Sequence, residues 1–297
     1  MQMLAPAKIN LSLDVLGRRD DGYHQVSMVM QTIALFDRVH VEEVSRSGVF
    51  LSGGSSEAPP DRSNLVYRAA ALVLARAGRT GGVAIDLVKN IPVAAGLAGG
   101  SSDAAITIKL MNRLLGLGWS LAEMEALAAE LGSDVPFLIR GGTALASGRG
   151  EQLTALPAAP TFWLVVVKPP FGASTPRVYQ ALGAPPYPGG QHREGATAKV
   201  MAALAAGSYG ALIAAVGNDL EQVTIGWHQE LQELKEALVR HGCDRALMSG
   251  SGPTILGFTE HEDVARQAAQ AIEQSAYWSG YGVWVAKTLT EQEGNEG

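Results

Sequence analysis

A run of small residues at 91–103 follows an alternating segment and leads into a helical pattern. The run contains three glycines and two serines, Gly96, Gly99, Gly100, Ser101 and Ser102. The glycines lack a side chain, so a ligand can approach the backbone N–H groups closely. The serines stand at the expected N-cap of a helix, where free N–H donors and the helix dipole favour an anion. The run therefore predicts a rigid phosphate-binding loop, with a flexible connector as the alternative.

Two charged residues elsewhere in the chain have side chains suited to phosphoryl transfer. Lys8 lies on the polar side of an alternating segment whose other side is apolar from Ile9 to Val15. Asp134 lies between small and apolar residues at the end of a predicted helix. A carboxylate can accept the proton of an attacking hydroxyl, while an ammonium stabilises the carboxylate and the incoming phosphoryl oxygens. The alternatives are a solvent-facing lysine and an aspartate that caps a helix or turn.

A second glycine-rich stretch, residues 248–254, joins two predicted strands. It fits a tight hairpin turn and equally a second backbone surface that closes over phosphates. The sequence lacks the P-loop pattern, a Gly-x-Gly-x-x-Gly after the first strand, and a zinc-binding pattern of histidines or cysteines. These absences disfavour P-loop nucleoside triphosphatases, dinucleotide-binding enzymes and zinc enzymes.

Composition limits the partners and the compartment. The net charge of −6 over 297 residues argues against a nucleic-acid or anionic-membrane surface, so local geometry must hold any phosphate. The single cysteine, Cys243, excludes an internal disulfide, fits a reducing cytosol and is typical of a small buried side chain. Since the sequence also lacks a leader pattern and a membrane-length apolar run, we expect a soluble cytoplasmic protein.

The remaining pattern predicts an α+β protein. Besides the first strand, strands are predicted at 38–44, 83–89, 162–168, 245–249, 254–258 and 282–287, and helices at 64–77, 102–115, 121–131, 196–216, 227–241 and 261–274. A proline-rich change in composition near residue 157 predicts two domains, 1–156 and 157–297. The proline- and glycine-rich stretch 183–195 is predicted to be a mobile loop.

Three stretches in this order, residues 6–11, 92–103 and 249–254, resemble the three motifs of the GHMP family of small-molecule kinases. The resemblance covers essentially the whole chain. It implies a two-domain fold, with an N-terminal α/β nucleotide and substrate domain and a C-terminal ferredoxin-like α+β domain. Residues 17–24 and 132–137 further resemble the branch of the family whose alcohol substrate is methylerythritol linked to cytidine diphosphate.

The resemblance implies that ATP phosphorylates the 2-hydroxyl of that alcohol. It implies Asp134 as the general base, Lys8 as its partner, and Asn64 beside the adenosine. Mg²⁺ is expected on chemical grounds, because it bridges and neutralises the transferring phosphates, and the sequence shows no clear pair of protein ligands for it. The residues around the triphosphate would be Pro92, Val93, Ala94, Ala95, Gly96, Leu97, Ala98, Gly99, Gly100, Ser101 and Ser102. The alcohol and its cytosine would contact Asn10, Tyr23, His24 and Tyr179, and a closing loop would consist of Gly250, Ser251 and Gly252.

The phosphate loop departs from the family pattern. Ala94, Ala95 and Ala98 stand where many relatives have glycine. A methyl group is tolerated there if φ stays negative, although it limits how closely phosphate can approach the backbone. Two other functions stay open: a GHMP kinase for another alcohol, of the homoserine or mevalonate type, and a nucleotide sensor on the same fold. Retention of both Lys8 and Asp134 weighs against the sensor.

Overall fold

The computed structural model describes residues 1–55, 58, 60–187 and 195–290. Its first half is built on a seven-stranded sheet. The strands are β1 (Gln2–Arg18), β2 (His24–Val44), β3 (Gly48–Gly53), β4 (Gly82–Val88), β5 (Thr143–Gly148), β6 (Gln152–Ala155) and, from later in the chain, β8 (Gly217–Asn218). Four helices pack with this sheet: α1 (Leu65–Arg76), α2 (Gly99–Leu114), α3 (Leu121–Ala129) and α4 (Val135–Arg140). Apolar residues of α1, α2 and α4 share one buried core with β1, β2 and β4.

The second half contains a four-stranded antiparallel sheet in the order β11-β7-β10-β9. These strands are β7 (Trp163–Lys168), β9 (Arg245–Met248), β10 (Ile255–Thr259) and β11 (Gly282–Lys287). Helices α9 (Glu230–Arg240) and α10 (Glu262–Gln274) pack on the sheet, and a short 3₁₀ turn, Ala276–Trp278, follows α10. The four intervening helices are α5 (Thr175–Leu182), α6 (Ala196–Ala205), α7 (Tyr209–Ala215) and α8 (Glu221–Trp227). This strand order is the ferredoxin-like arrangement predicted for the C-terminal part.

The two halves are tied together at β1. Strand β8 pairs with β1 in parallel, with Ser12 opposite Gly217. The carboxylate of Asp14 accepts hydrogen bonds from the N–H groups of Ala196 and Thr197 and so caps the first turn of α6. The division at residue 156 therefore stays a prediction, since β8 follows it in the chain and joins the first sheet.

The alternation in β1 predicted a strand with one apolar and one polar face; the strand is confirmed, but its polar face is buried as well. Asn10, Ser12 and Asp14 are as buried as their apolar neighbours. The reason is tertiary, because α6 covers that face and the Ser12 hydroxyl lies 2.9 Å from the Thr197 hydroxyl. A strand covered on both faces retains polar residues only where each has a partner.

Other sequence predictions differ at their boundaries. The predicted helix over 196–216 is two helices, α6 and α7, separated at Gly207, whose φ is +61°. The capping box at Ser120 and Glu123 is confirmed at the start of α3.

Most of the predicted mobile stretch, 188–194, lies outside the described residues. Among the residues that are described, no helix is long and apolar enough to cross a membrane.

Candidate active site

A cleft of about 1090 Å³ lies between the two halves of the molecule. Most of the sequence-predicted site residues line it, namely Lys8, Asn10, Tyr23, His24, Asn64, Pro92, Val93, Ala94, Ala95, Gly96, Ala98, Gly99, Gly100, Ser101, Asp134, Tyr179, Gly250 and Ser251. Leu97, Ser102 and Gly252 do not line it. Leu97 is fully buried in an apolar cluster, and the Ser102 hydroxyl donates to the carbonyl of Pro6. These two residues therefore support the loop from behind.

Lys8 and Asp134 meet on one wall of the cleft. The Lys8 ammonium donates a 2.9 Å hydrogen bond to the Asn10 side-chain oxygen and lies 3.6 Å from the Asp134 carboxylate. Lys8 is buried, whereas about a third of the Asp134 side chain is exposed to the cleft. Asp134 occupies the N-cap position of α4, but its carboxylate makes no capping hydrogen bond. The carboxylate is therefore oriented by Lys8 and open to a ligand.

The phosphate loop enters its helix earlier than predicted. Helix α2 begins at Gly99, and its N-cap is Ala98 rather than one of the two serines. Because glycines are poor helix formers, the sequence pattern predicts a helix that begins at the serines, after the glycines. The consequence is that the backbone N–H groups of Gly99 and Gly100 belong to the first turn, which is the anion-binding end of a helix.

Two of the alanines that replace glycine in this loop have left-handed backbone conformations. The φ angles of Ala94 and Ala98 are +51° and +54°. The condition stated for tolerating these methyl groups, a negative φ, is thus not met at these two positions. An L-residue other than glycine is strained in this region, so tertiary contacts must maintain the loop.

A buried charge cluster below the loop was not predicted. The Lys89 ammonium forms ion pairs with Asp37 and Asp103. One Asp37 oxygen accepts hydrogen bonds from the N–H groups of Asn90, at 2.5 Å, and Ile91, at 2.8 Å. The cluster therefore connects β2, the residues that enter the phosphate loop, and the second turn of α2.

Burial and neighbouring charges shift the pKa values of this cluster. Burial raises the pKa of Asp103 to about 8, although the Lys89 ammonium opposes the shift. One Asp103 oxygen is buried without a hydrogen-bond partner. Burial alone would lower the pKa of Lys89, but Asp103 and Asp37 together raise it above its ordinary value. Because two carboxylates share one ammonium, the cluster favours retention of a proton on one of the carboxylates.

The loop after β9 closes the cleft from the second half. The carbonyl of Gly96 in the phosphate loop accepts a 3.1 Å hydrogen bond from the Ser249 hydroxyl. The Ser251 hydroxyl lies 2.8 Å from that of Thr175 in α5, and Asn218 donates to the carbonyl of Gly250. A side chain at Gly96 would collide with the carbonyl of Ser249. The stretch is thus both a connection between β9 and β10 and a cleft wall.

The aromatic residues lie at another part of the cleft. The rings of His24 and Tyr179 are 4.9 Å apart and tilted by 33°. Tyr23 is 57% exposed, and the Arg149 guanidinium lies 4.7 Å from the centre of its ring. Burial and, to a lesser extent, Arg18 lower the pKa of His24, and burial and Asp134 raise the pKa of Tyr179. Both side chains are therefore held in their neutral forms at pH 7.

The sequence matches known proteins over its whole length. The family models described as GHMP kinases N terminal domain and GHMP kinases C terminal match residues 64–142 and 200–277. The 4-diphosphocytidyl-2-C-methyl-D-erythritol kinase of Heliobacterium modesticaldum is 61% identical, over 100% of this chain and 98% of its own length. This chain belongs to the 4-diphosphocytidyl-2-C-methyl-D-erythritol kinases. The kinase of the same name from Pelotomaculum thermopropionicum is 47% identical over 90% of this chain and 91% of its own.

Solved structures agree with this membership. A crystal structure of a 4-(cytidine 5'-diphospho)-2C-methyl-D-erythritol kinase superposes with a TM-score of 0.81 at 39% identity, covering 97% of this kinase and 99% of that chain. The homoserine kinase of Cytophaga hutchinsonii gives a TM-score of 0.78 at 19% identity, covering 99% of this chain and 96% of that chain. The second likeness shows the fold alone. The kinase is therefore an ATP-dependent GHMP kinase with the two-domain, mixed α+β fold predicted from its motifs.

Proposed function

We propose that this kinase transfers the γ-phosphoryl group of ATP to the 2-hydroxyl of 4-diphosphocytidyl-2-C-methyl-D-erythritol, in the non-mevalonate pathway to isoprenoids. The products are the 2-phosphate and ADP. The observation that carries the proposal is the Lys8–Asp134 pair, which faces a glycine-rich helix N-terminus within a single cleft. It is supported by 61% identity to a relative of that name.

Asp134 is the proposed general base. Its carboxylate accepts the proton of the 2-hydroxyl as that oxygen attacks the γ-phosphorus. The new O–P bond forms while the bond between the γ-phosphorus and the β,γ-bridging oxygen breaks, so ADP leaves with the electron pair. The Lys8 ammonium, 3.6 Å from the carboxylate, stabilises the charge on the attacking oxygen and on the phosphoryl group.

The nucleotide is proposed to lie along the phosphate loop. The first turn of α2 directs free N–H groups into the cleft beside Gly96, and Gly250 and Ser251 face them from the other half. Asn64 caps α1 through a 3.0 Å hydrogen bond from the N–H of Val66, and it is proposed to lie beside the adenosine. A backbone cradle of this kind binds phosphate despite the net negative charge of the chain.

Mg²⁺ is proposed to accompany ATP. The residues that the structure describes contain no group of three or more histidine, cysteine, aspartate or glutamate side chains that could hold a metal ion. Mg²⁺ retains several waters and is commonly bound through substrate phosphates with one or two carboxylates, so the cleft fits an ion carried in by ATP. When bound, it would neutralise charge on the phosphates. Asp134 is a partly exposed carboxylate that lines the cleft.

The cytosine is proposed to bind at the aromatic part of the cleft. Tyr23 has an exposed ring face, and the neutral His24 imidazole can both donate and accept hydrogen bonds at the edge of a base. Tyr179 lies against His24 and would contact the base from the α5 side. The partners proposed are these small molecules alone, and a cytoplasmic location stays a prediction from composition and from a buried, unpaired Cys243.

Measurement of ADP release with Mg-ATP tests the function. The acceptors to compare are 4-diphosphocytidyl-2-C-methyl-D-erythritol, homoserine, mevalonate and none. We expect turnover with the cytidyl substrate alone, and its loss in Tyr23→Ala. Turnover with another alcohol would retain the Lys8–Asp134 chemistry but refute the cytosine site. ATP binding without any turnover would favour the sensor instead.

A further inference from the structure

The loop between β9 and β10 is held by side chains that approach it from outside the cleft. The Asn218 amide donates to the carbonyl of Met248, at 2.9 Å, and to that of Gly250, at 2.7 Å. The Thr224 hydroxyl donates to the carbonyl of Ser251, at 3.1 Å. Gly250 and Ser251 line the cleft, whereas Asn218 and Thr224 do not. These hydrogen bonds therefore direct the loop carbonyls away from the cleft.

The Asn218 amide thereby sets the direction of one backbone donor. The peptide bond between Gly250 and Ser251 is trans, so its carbonyl and its N–H point in opposite directions. Since the carbonyl is bound on the side away from the cleft, the N–H of Ser251 is directed into the cleft. Within the described part of the chain this N–H donates to no protein acceptor, whereas the N–H groups of Ser249 and Gly252 bond to carbonyls of the same turn. The Ser251 N–H is therefore available to a ligand.

This donor adjoins both the reacting pair and the phosphate loop. A Cβ built on Gly250 would lie 3.6 Å from the Asn10 side-chain oxygen, which accepts the hydrogen bond of the Lys8 ammonium. It would lie equally close, at 3.6 Å, to the carbonyl of Gly96 in the phosphate loop. The peptide that ends at Ser251 is thus beside the place where a phosphoryl group would pass from ATP to an alcohol.

The orientation of the Asn218 amide is itself fixed. Its oxygen accepts the N–H of Leu220, at 3.0 Å, while its nitrogen donates to the two loop carbonyls. A flipped amide would place its oxygen against two carbonyl oxygens and leave the Leu220 N–H unpaired. Asn218 also belongs to β8, where it lies opposite Leu13 of β1. The side chain therefore connects the loop of the second half to the strand that carries Lys8.

We infer that Asn218 is a positioning residue for phosphoryl transfer, which directs the Ser251 N–H at an oxygen of the transferring γ-phosphoryl group. The inference rests on the proposed function and deepens it. Charge spreads over the equatorial oxygens of the phosphoryl group in the transition state, so a donor that is already oriented stabilises it without reorganisation. Asn218 does not touch the nucleotide and acts through the peptide between Gly250 and Ser251.

The test compares a non-hydrolysable ATP analogue with ADP as ligands of the full chain, by calorimetry in the presence of Mg²⁺. ADP lacks the γ-phosphoryl group and is the internal reference. We expect Asn218→Ala to weaken binding of the analogue about fivefold and that of ADP by less than about twofold, because only the hydrogen bond to the γ-phosphoryl group is lost. In turnover, kcat should fall about tenfold to a hundredfold, while KM for the cytidyl substrate stays within about twofold of wild type.

The matched control is Thr224→Val, which removes another hydrogen bond to the same loop and keeps the shape of the side chain. Thr224 binds the carbonyl of the peptide between Ser251 and Gly252, whose N–H already bonds within the loop. Both variants should therefore lose stability in urea unfolding, but Thr224→Val should change kcat and both nucleotide affinities by less than about threefold. Asn218→Asp is a second variant that keeps the side-chain size and the acceptor for Leu220 but cannot donate to the loop. Its kcat should fall at least as far as that of Asn218→Ala.

Three results would overturn the inference. One is an unchanged kcat with an unchanged affinity for the ATP analogue in folded Asn218→Ala or Asn218→Asp. Another is an equal loss for ADP and the analogue in Asn218→Ala, and the third is an equal fall of kcat in Thr224→Val. Either of the last two would mean that Asn218 only maintains the loop as a whole.

Failure of the proposed function gives a different pattern. Wild type would then phosphorylate no cytidyl alcohol, whereas the difference between the ATP analogue and ADP would still appear in Asn218→Ala. Turnover of the cytidyl alcohol that does not depend on Asn218 would leave the function standing and refute the positioning role.

Discussion

The Lys8 ammonium donates a 2.9 Å hydrogen bond to the side-chain oxygen of Asn10 but lies 3.6 Å from the carboxylate of Asp134. Lys8 and Asn10 are two residues apart on one strand and therefore share a face. Asp134 approaches that face from the start of α4. Because the ammonium is fixed by Asn10 and only faces Asp134, the carboxylate keeps the capacity to accept a proton from a third group.

Replacement of Asp134 by Asn tests this geometry. We expect kcat to fall about 10²- to 10⁴-fold, because the amide cannot accept the hydroxyl proton. The melting temperature and ATP affinity should stay near those of wild type, since the side chain caps no helix. Asp263→Asn, at an exposed residue in the first turn of α10, is the control and should keep full activity. A kcat near the wild-type value in Asp134→Asn would exclude this carboxylate as the base.

Replacement of Lys8 by Ala tests the role of the ammonium. The expected result is a fall in kcat of about a hundredfold or more, since stabilisation of developing charge is lost in the transition state. Steady-state kinetics with both substrates varied measures it. If KM rose while kcat stayed constant, Lys8 would be a binding residue, because the lost interaction would be equally strong in the ground state.

The parts of this site that sequence patterns predict are the local ones. Alternation identifies β1 and puts Lys8 and Asn10 on one face, and the Ser120–Glu123 capping box marks the start of α3. The glycines of residues 96–100 indicate a backbone site for phosphate. The proximity of Asp134 to Lys8 depends on how α4 packs, which no local pattern specifies. The chemistry of the two side chains and the resemblance to a family suggest the pair, and neither is a local sequence pattern.

The Lys89 cluster shows what local patterns miss. Lys89 and Asp37 are 52 residues apart, and Asp103 lies in a helix whose other buried residues are mostly apolar. The available signal is a charged residue beside apolar residues in each of three segments, which indicates burial with a partner but does not identify the partner. The cover over the polar face of β1 was missed for the same reason, because it comes from α6.

The ring of Tyr179 gives a prediction for substrate binding. Tyr179→Ala should raise KM for the cytidyl substrate roughly tenfold, the effect of removing one ring that stacks on a base, and leave KM for ATP unchanged. Tyr179→Phe is the matched control, since it keeps the ring and removes only the hydroxyl. Equal KM values in wild type and Tyr179→Ala would instead assign the residue to packing against His24.

The raised pKa of Asp103 predicts a pH dependence of stability. The pKa is about 8 in the folded chain, against about 4 for an aspartate in an unfolded one. The folded state therefore binds the proton more tightly, so this contribution to the free energy of unfolding is complete below pH 4 and is lost as the pH rises towards 8. Asp103→Asn removes the titrating group. Measured by urea unfolding between pH 4 and pH 8, the free energy of unfolding should decline less in the variant than in wild type. An equal decline in both proteins would contradict the assignment.

The left-handed backbone conformation of Ala98 in the phosphate loop predicts that glycine at this position does not destabilise the protein. Ala98 has φ +54° and its methyl group is only half-buried. Glycine relieves a conformational strain of about 1–2 kcal/mol at such a position. It also makes the unfolded chain more flexible, which costs about 0.5–1 kcal/mol. The two effects leave Ala98→Gly between neutral and about 1.5 kcal/mol more stable than wild type.

The matched control for Ala98→Gly is Ala126→Gly, on the exposed side of α3. Ala126 already has a helical φ, so glycine at this position relieves no conformational strain and should lower the free energy of unfolding by about 1 kcal/mol. Urea unfolding of both variants beside wild type measures the difference. Equal destabilisation at the two positions would mean that residue 98 is not held in the left-handed region in solution. The KM for ATP should stay at or below the wild-type value in Ala98→Gly, because a smaller residue lets phosphate approach the first turn of α2 more closely.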